Sequence, residues 1–383
     1  MAQVSFPATF MRGGSSKGVF FRTVALPDDP ALRERILLAV LGSPDPYQRQ
    51  LNGLGGGLSS VSKAVIIGPS TRPDADVDYT FVQVDVAAPA VHLGSNCGNL
   101  SSAVGPFAID SGLVGANGSE AQVLIHNTNT RKLIRARVPV ADGAPKVEGS
   151  LAIPGVAGTG AGIRLDFMDP AGPTTGTLLP TGRPVDTLSL DEEGTIEASM
   201  VDSSNPCVFL EAERFGLEGT EGIDALDADT GLADRLERVR REAAVRMGLA
   251  TSPEVARPNA PMIGLVAPPR SYRTLSGATV ASREAVIAAR IWSMGRVHRV
   301  LPLTGAMCLA VACRIPGSVC ARVLARQADA LCIATPSGVL PLDASVRTDD
   351  GTVTVEQVTA WRTARILMKG EVFVPRSIVS PMP

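Results

Sequence analysis

Two helix-length stretches constrain this chain more than anything else in it. "NCGNLSSAVGPFAI" (residues 96–109) contains no charged residue, and "LTGAMCLAVACRI" (residues 303–315) contains none before Arg314. A helix that is apolar or small all round belongs inside a fold rather than on its surface. Around each stretch the text is strand-rich. "SKAVIIG" reads as a buried strand. In "DYTFVQVDVA", Val82, Val84 and Val86 alternate with Gln83 and Asp85, and in "LIRARVPV" Ile134, Ala136 and Val138 alternate with arginines. The economical architecture is α+β, with a curved, mostly antiparallel sheet around one central buried helix in each half. The pattern alone leaves a duplicated domain and two unrelated buried helices both open.

A chain of 383 residues favours two domains. The run "AGPTTGTLLPTGRPV" (171–185) is rich in Gly, Pro and Thr and reads as a loop or linker. The expected domains are therefore 1–183, carrying Lys63 and Cys97, and 184–383, with the closing "GEVFVP" strand left open to return to the first. Surface helices fit this frame. "DDPALRERILLAVLG" has Asp28 or Asp29 to cap it and Pro30 in its first turn, with Leu32, Ile36 and Val40 on one face. Residues 232–248, "LADRLERVRREAAVRMG", are amphipathic and end at a glycine.

Composition removes several function classes. Net charge is −2 and only 4% of residues are aromatic, so neither a basic field nor stacking platforms point to nucleic acid. There is no signal-peptide pattern and no apolar run of the ~18 residues a membrane span needs. Six scattered cysteines form no CxxC pair and there are three histidines, which argues against a metal site and for free thiols in a cytoplasmic setting.

Three stretches carry the candidate chemistry. "FMRGGSSKGVFF" (10–21) resembles a phosphate loop, but no Lys-Ser follows Gly18, so the Walker pattern fails. What survives is a turn of backbone N–H groups with Ser15, Ser16 and Lys17, suited to a carboxylate; a plain glycine turn fits as well. "NGLGGGLSSVSKAVIIG" places Lys63 at the start of an apolar strand. A partly desolvated ammonium loses its proton more easily, which makes lysine a base near neutral pH. "LGSNCGNLSSA" sets Cys97 in a turn, with Asn96, Gly98 and Asn99, at the start of the first buried helix. Helix N-termini offer unpaired N–H donors and a field favouring anions, worth about 0.3–1 kcal/mol. A thiol there can act as acid, base or nucleophile. Cys207, Cys313, Cys320 and Cys332 read as structural. Cys308 could mirror Cys97, although Met307 and Leu309 beside it favour packing. Arg296 and His298 precede the second buried helix, whose first turn holds Thr304 and Gly305. These are candidate carboxylate contacts or solvated loop residues.

Taken together, "MRGGSSKGVFF", "LGSPDPY", "GGGLSSVSKAVII", "SNCGNLSSAVGPFAI" and "MGRVHRVLPLTGA" resemble the methylaconitate isomerase (PrpF) family of propionate catabolism. The similarity runs along nearly the whole chain. It implies a fold similar to diaminopimelate epimerase, with two pseudo-symmetric domains and the active site between them. It further implies a cofactor-independent isomerase acting on an unsaturated di- or tricarboxylate, most simply by allylic proton transfer on 2-methylaconitate. The family's motif lysine and cysteine fall on Lys63 and Cys97, and its hydroxyl loop on Ser15 and Ser16. Ser15 stands where threonine is more usual, and Gly57 and Leu58 depart from the family pattern, which leaves the substrate open. The alternatives are 4-oxalomesaconate tautomerase, aconitate isomerase, a two-thiol racemase, or a non-catalytic accessory to an aconitase-like 2-methylcitrate dehydratase. No metal, nucleic acid or membrane partner is expected; a homodimer is compatible with the sequence.

Overall fold

The computed structural model describes residues 2–94, 96–189, 194–328, 330–349 and 352–380. The chain divides into two compact units, Met1–Leu165 with Arg362–Pro383, and Asp166–Trp361. The division thus falls at 165/166 and not at 183/184. The Gly/Pro/Thr run is no free linker, because Asp202 pins it to the second unit. The Asp202 carboxylate accepts from the Thr174 and Thr175 N–H groups (2.9 and 2.6 Å) and the Thr175 hydroxyl (2.9 Å). Its backbone bonds Gly172 and Leu178.

The first unit opens with a hairpin, β1 (Gln3–Gly13) and β2 (Ser16–Arg22). α1 (Pro30–Leu41) follows, capped by the Asp29 side chain and closed by Gly42 in the left-handed region. β3 (Lys63–Pro69) pairs parallel with β2, and β4 (Val77–Val84) pairs antiparallel with β3. The short β5 (Val91–His92) pairs with β4 and leads into α2 (Gly98–Asp110). β6 (Glu120–Asn127) runs parallel to β4, β7 (Lys132–Ala141) antiparallel to β6, and β8 (Ala144–Pro145) pairs with β7. β9 (Ile163–Met168) spans the division. The chain's last strand, β21 (Ala364–Pro375), belongs to this unit and pairs with β1 from Gln3↔Pro375 to Gly13↔Ala364.

Strand alternation sorts the residues of this sheet. Val19, Phe21, Ala64, Ile66, Val82 and Val84 join the core shared with α1. The intervening residues face α2, which touches β1, β2, β6, β7, β8 and β21. Strands from both ends of the sheet reach one helix, so the sheet curls around it. All of α2 but its last residue, Asp110, is buried. Gly105 allows the approach, since a Cβ there would lie 2.8 Å from Val138.

The second unit contains β10 (Asp186–Ser189), β11 (Thr195–Ser203), β12 (Asn205–Glu211), α3 (Ile223–Ala228), α4 (Thr230–Arg246) and β13 (Met262–Ala267). A small hairpin, β14 (Tyr272–Arg273) and β15 (Thr279–Val280), precedes β16 (Ile287–Ser293), β17 (Arg296–Val297) and α5 (Leu303–Ala312). α6 (Val319–Arg322), β18 (Leu331–Thr335), β19 (Gly338–Asp349) and β20 (Thr352–Arg362), whose last residue belongs to the first unit, complete it. Its pairings repeat those of the first unit: hairpin, parallel strand, antiparallel strand, short strand, buried helix, parallel strand, antiparallel strand. The chain is therefore α+β and built on one order of elements used twice. Among the described residues no helix is long and apolar enough to cross a membrane.

Gly18 sets the β2–β3 spacing at the residue that matters most. An alanine Cβ there would lie 2.6 Å from the Lys63 carbonyl oxygen and 3.1 Å from its carbon, both backbone atoms. Gly18→Ala should destabilise the protein by about 1–3 kcal/mol. Gly115→Ala, where a Cβ meets nothing within 4 Å, should leave it unchanged. Urea midpoints of the two variants check this.

Candidate active site

Lys63 is the first residue of β3 and points to the α2 side of the sheet, where it is only 8% exposed. Its neighbours come from β4. Phe81 places its ring 5.0 Å from Nζ, and the Gln83 side-chain oxygen accepts a hydrogen bond from Nζ. Burial pushes the Lys63 ammonium below the ordinary lysine range; a negative charge on Cys97 would oppose this in part.

Cys97 is the N-cap residue of α2, buried and extended, and its side chain does not cap the helix. Its carbonyl accepts from the Ser101 N–H (3.0 Å), the Ser101 hydroxyl (3.0 Å) and the Tyr79 hydroxyl (3.4 Å). Tyr79 is fully buried; burial first, and the Cys97 charge second, hold its phenol well above the usual range. With no side-chain cap, the first N–H groups of α2 face outward from the helix end, a favourable place for an anion.

The β1–β2 turn closes over this helix end. Gly14 adopts φ +51°, and a Cβ on it would lie 2.3 Å from Asn99 Oδ1. Gly13 approaches the Asn99 carbonyl and Leu100 Cα closely as well. Asn99 Oδ1 accepts from the Ser15 N–H (3.4 Å) and from Arg362 Nε (3.1 Å). The Arg362 guanidinium is buried, which lowers it to about 10. Arg12 Nη1 donates to the carbonyls of Gly14 (3.0 Å) and Thr363 (2.9 Å), and the Gly14 N–H donates to Thr363 (2.9 Å). Turn, helix end and the start of β21 form one hydrogen-bonded assembly.

Of the predicted residues, Lys63, Cys97, Asn96, Gly98, Asn99, Ser15 and Ser16 fall in this region. Asn96 braces the turn before α2, where its side-chain oxygen accepts from Asn127 Nδ2 (2.8 Å) and Ser101 Oγ (3.4 Å). Lys17 does not join them. Alternation turns it to the α1 face, where its Nζ lies 5.6 Å from the Phe10 ring. Arg296, His298, Thr304 and Gly305 belong to the second unit. Arg296 is exposed, His298 donates its N–H to Ile291 (2.9 Å), and Thr304 and Gly305 are buried in the first turn of α5. Cys308 is no counterpart of Cys97. It lies within α5, fully buried, with its thiol directed to the Val201 carbonyl (3.3 Å), and the N-cap position is Pro302. Among the described residues no group of three or more His, Cys, Asp or Glu could hold a metal ion.

The profile of a family described as "PrpF protein" matches residues 3–375. The chain belongs to the PrpF family. It is 42% identical to a 3-methylitaconate isomerase of Eubacterium barkeri and 39% identical to a 2-methyl-aconitate isomerase of Shewanella oneidensis, each alignment covering 98% of both chains. It is also 39% identical to a 4-oxalomesaconate tautomerase of Pseudomonas putida over 98% of both chains. The crystal structure of a methylitaconate-delta-isomerase superimposes with a TM-score of 0.85 at 40% identity, covering 100% of this chain and 98% of that one. A hydroxyproline epimerase from Agrobacterium vitis, 13% identical with a TM-score of 0.54 over 97% and 93% of the chains, shares the fold. This PrpF-family protein is an isomerase.

Gln83, Tyr79 and Arg362 were not singled out from the sequence. Alternation in β4 could have placed Gln83 and Tyr79 beside Lys63, but nothing local ties Arg362 to a helix 263 residues away. The Asn99–Arg362 contact has a testable consequence. Asn99→Ala removes an acceptor from a buried guanidinium and should cost about 1.5–3 kcal/mol of stability. Asn99→Asp should hold the guanidinium and keep the melting temperature, while its negative charge raises KM for an anionic substrate. Thermal melts and initial rates separate the two effects.

Proposed function

We propose that this protein isomerises 2-methylaconitate by allylic proton transfer, with Lys63 as principal base and Cys97 as its acid–base partner. What supports the reading is a buried, desolvated amine on the face of the sheet that packs on α2, together with a buried cysteine at the uncapped N-terminus of that helix. A C–H beside a conjugated alkene and carboxylate is weakly acidic. The neutral Lys63 amine takes that proton, and the electron pair delocalises through the alkene onto the carboxylate as a dienolate. The N–H groups at the start of α2 and in the β1–β2 turn stabilise that charge. The intermediate rotates, and a proton returns to carbon from the Lys63 ammonium or the Cys97 thiol. Where Cys97 donates, the ammonium and thiolate left behind exchange a proton and restore the enzyme. The shift is redox-neutral, moves only protons, and calls for no cofactor. Its substrate is of the kind an aconitase-like dehydratase acting on 2-methylcitrate would supply.

A second reading is 3-methylitaconate as substrate, favoured by the 42% identical relative and the superimposable structure. The racemase alternative is disfavoured by the position of Cys308, and the non-catalytic one by the isomerase relatives.

Proton NMR in deuterated water, with methylaconitate, methylitaconate, aconitate and oxalomesaconate offered separately, decides the substrate. The expected result is conversion of methylaconitate with deuterium entering the allylic position. Lys63→Met should lower that exchange by about 10²–10⁴-fold; exchange at the native rate removes Lys63 as the base. Faster turnover of methylitaconate than of methylaconitate selects the second reading.

A further inference from the structure

We propose that Gln83 is a positioning residue for this reaction: its side-chain oxygen holds the Lys63 amine on the α2 side of the sheet without pairing it to a negative charge. The inference rests on the reading of Lys63 as the base.

Lys63 and Gln83 are direct partners in the antiparallel β3–β4 ladder, so their side chains leave the same face of the sheet side by side. The Gln83 amide can point only one way. Its Nε2 donates to the carbonyl of Ser62 (3.0 Å), with those of Ser59 and Val84 at 3.3 Å. Turned over, its oxygen would face those three carbonyl oxygens. The oxygen is therefore committed to Nζ before any substrate arrives. A glutamate would hold the amine as firmly, but as an ion pair that keeps it protonated.

The other groups around the pair are few. From α2 the ionisable group is Cys97, whose charge, when it carries one, would favour the ammonium. From β4 the same face presents the Phe81 ring and the Tyr79 phenol, which is bonded to Cys97. From β5 His92 stands opposite Gln83, exposed, its ring 3.9 Å from Asp85. From β2 the neighbour is Gly18. Among the described residues no carboxylate is placed to fix the Lys63 charge, so the neutral acceptor is the chief polar restraint.

The test compares the full-length protein with Gln83→Leu and Gln83→Glu. The Lys63 titration is followed by NMR on protein labelled with ¹³C at the lysine side chains. The Lys63 signal is assigned by its loss in Lys63→Met. An acceptor favours the charged amine, so Gln83→Leu should move the titration to lower pH. Gln83→Glu should move it to higher pH. The alkaline-rising limb of kcat/KM should move in the same directions. In Gln83→Leu at saturating pH, kcat should fall by up to about 10²-fold through misplacement, with KM little changed. A Lys63 titration unmoved in both variants overturns the proposal. A titration that moves while the activity limb stays fixed upholds the contact and overturns Lys63 as the base. If Gln83→Leu does not fold, the Glu variant alone still tests the direction of the shift.

Discussion

Keeping the Lys63 amine out of water is the constraint around which the first unit is organised. An ammonium in an apolar wall is costly, and the group answers by giving up its proton more readily. The sheet imposes that burial. Parallel pairing of β3 on β2 brings Gly18 against the Lys63 backbone, and only the missing side chain at 18 allows the approach. Phe81 forms the floor beneath the amine and Gln83 supplies a fixed acceptor from β4. The packing that stabilises the unit therefore also desolvates the amine proposed as the base. Separating the two by mutation requires changes at the polar contact, not in the wall.

The second unit shows what the same order of elements does without that constraint. Met262 opens β13 as Lys63 opens β3, and Pro302 takes the N-cap position of α5 as Cys97 takes that of α2. A Cβ on Gly305 would lie 2.9 Å from the Met262 methyl and 3.0 Å from Ile291 Cδ1, so the first turn of α5 packs on apolar atoms. Two of its buried cysteines are held as thiols. Burial, with neighbouring thiols adding to it, holds Cys207 and Cys320 well above the usual thiol range, where a thiolate is scarce. One architecture thus serves as scaffold in both units and, on the proposed mechanism, carries the acid–base pair in one.

What the sequence disclosed follows from how locally each feature is encoded. α2 and α5 were legible because a helix without charge has only one place to go. Lys63 was legible because the apolar "AVIIG" run fixes its burial. Lys17 misled because the glycine loop suggests an anion cradle, whereas in a strand neighbouring residues face opposite ways, and Ser16 and Gly18 take the α2 side. The boundary at 183 misled because Gly, Pro and Thr signal a turn whether or not it is tethered. The tether, Asp202, lies a further strand along the chain. Arg362 and Gln83 were silent for a different reason. Their meaning arises from contacts with Asn99 and Lys63 that only the sheet order creates.

On the proposed mechanism, burial of the amine and binding of the substrate act on the same proton in opposite directions. Alone, Lys63 is driven toward the neutral form by desolvation. A carboxylate drawn to the start of α2 favours the ammonium instead, and more so as negative charge spreads onto it during proton removal. The resting site therefore disfavours the ammonium, and the transition state, with ammonium and dienolate formed together, relieves that penalty. Stabilisation arriving with the charge pair and not before it is the condition for speeding the chemical step instead of merely tightening binding. A neutral partner at Gln83 preserves this difference. A fixed carboxylate there would stabilise the ammonium before any substrate arrived and erase it.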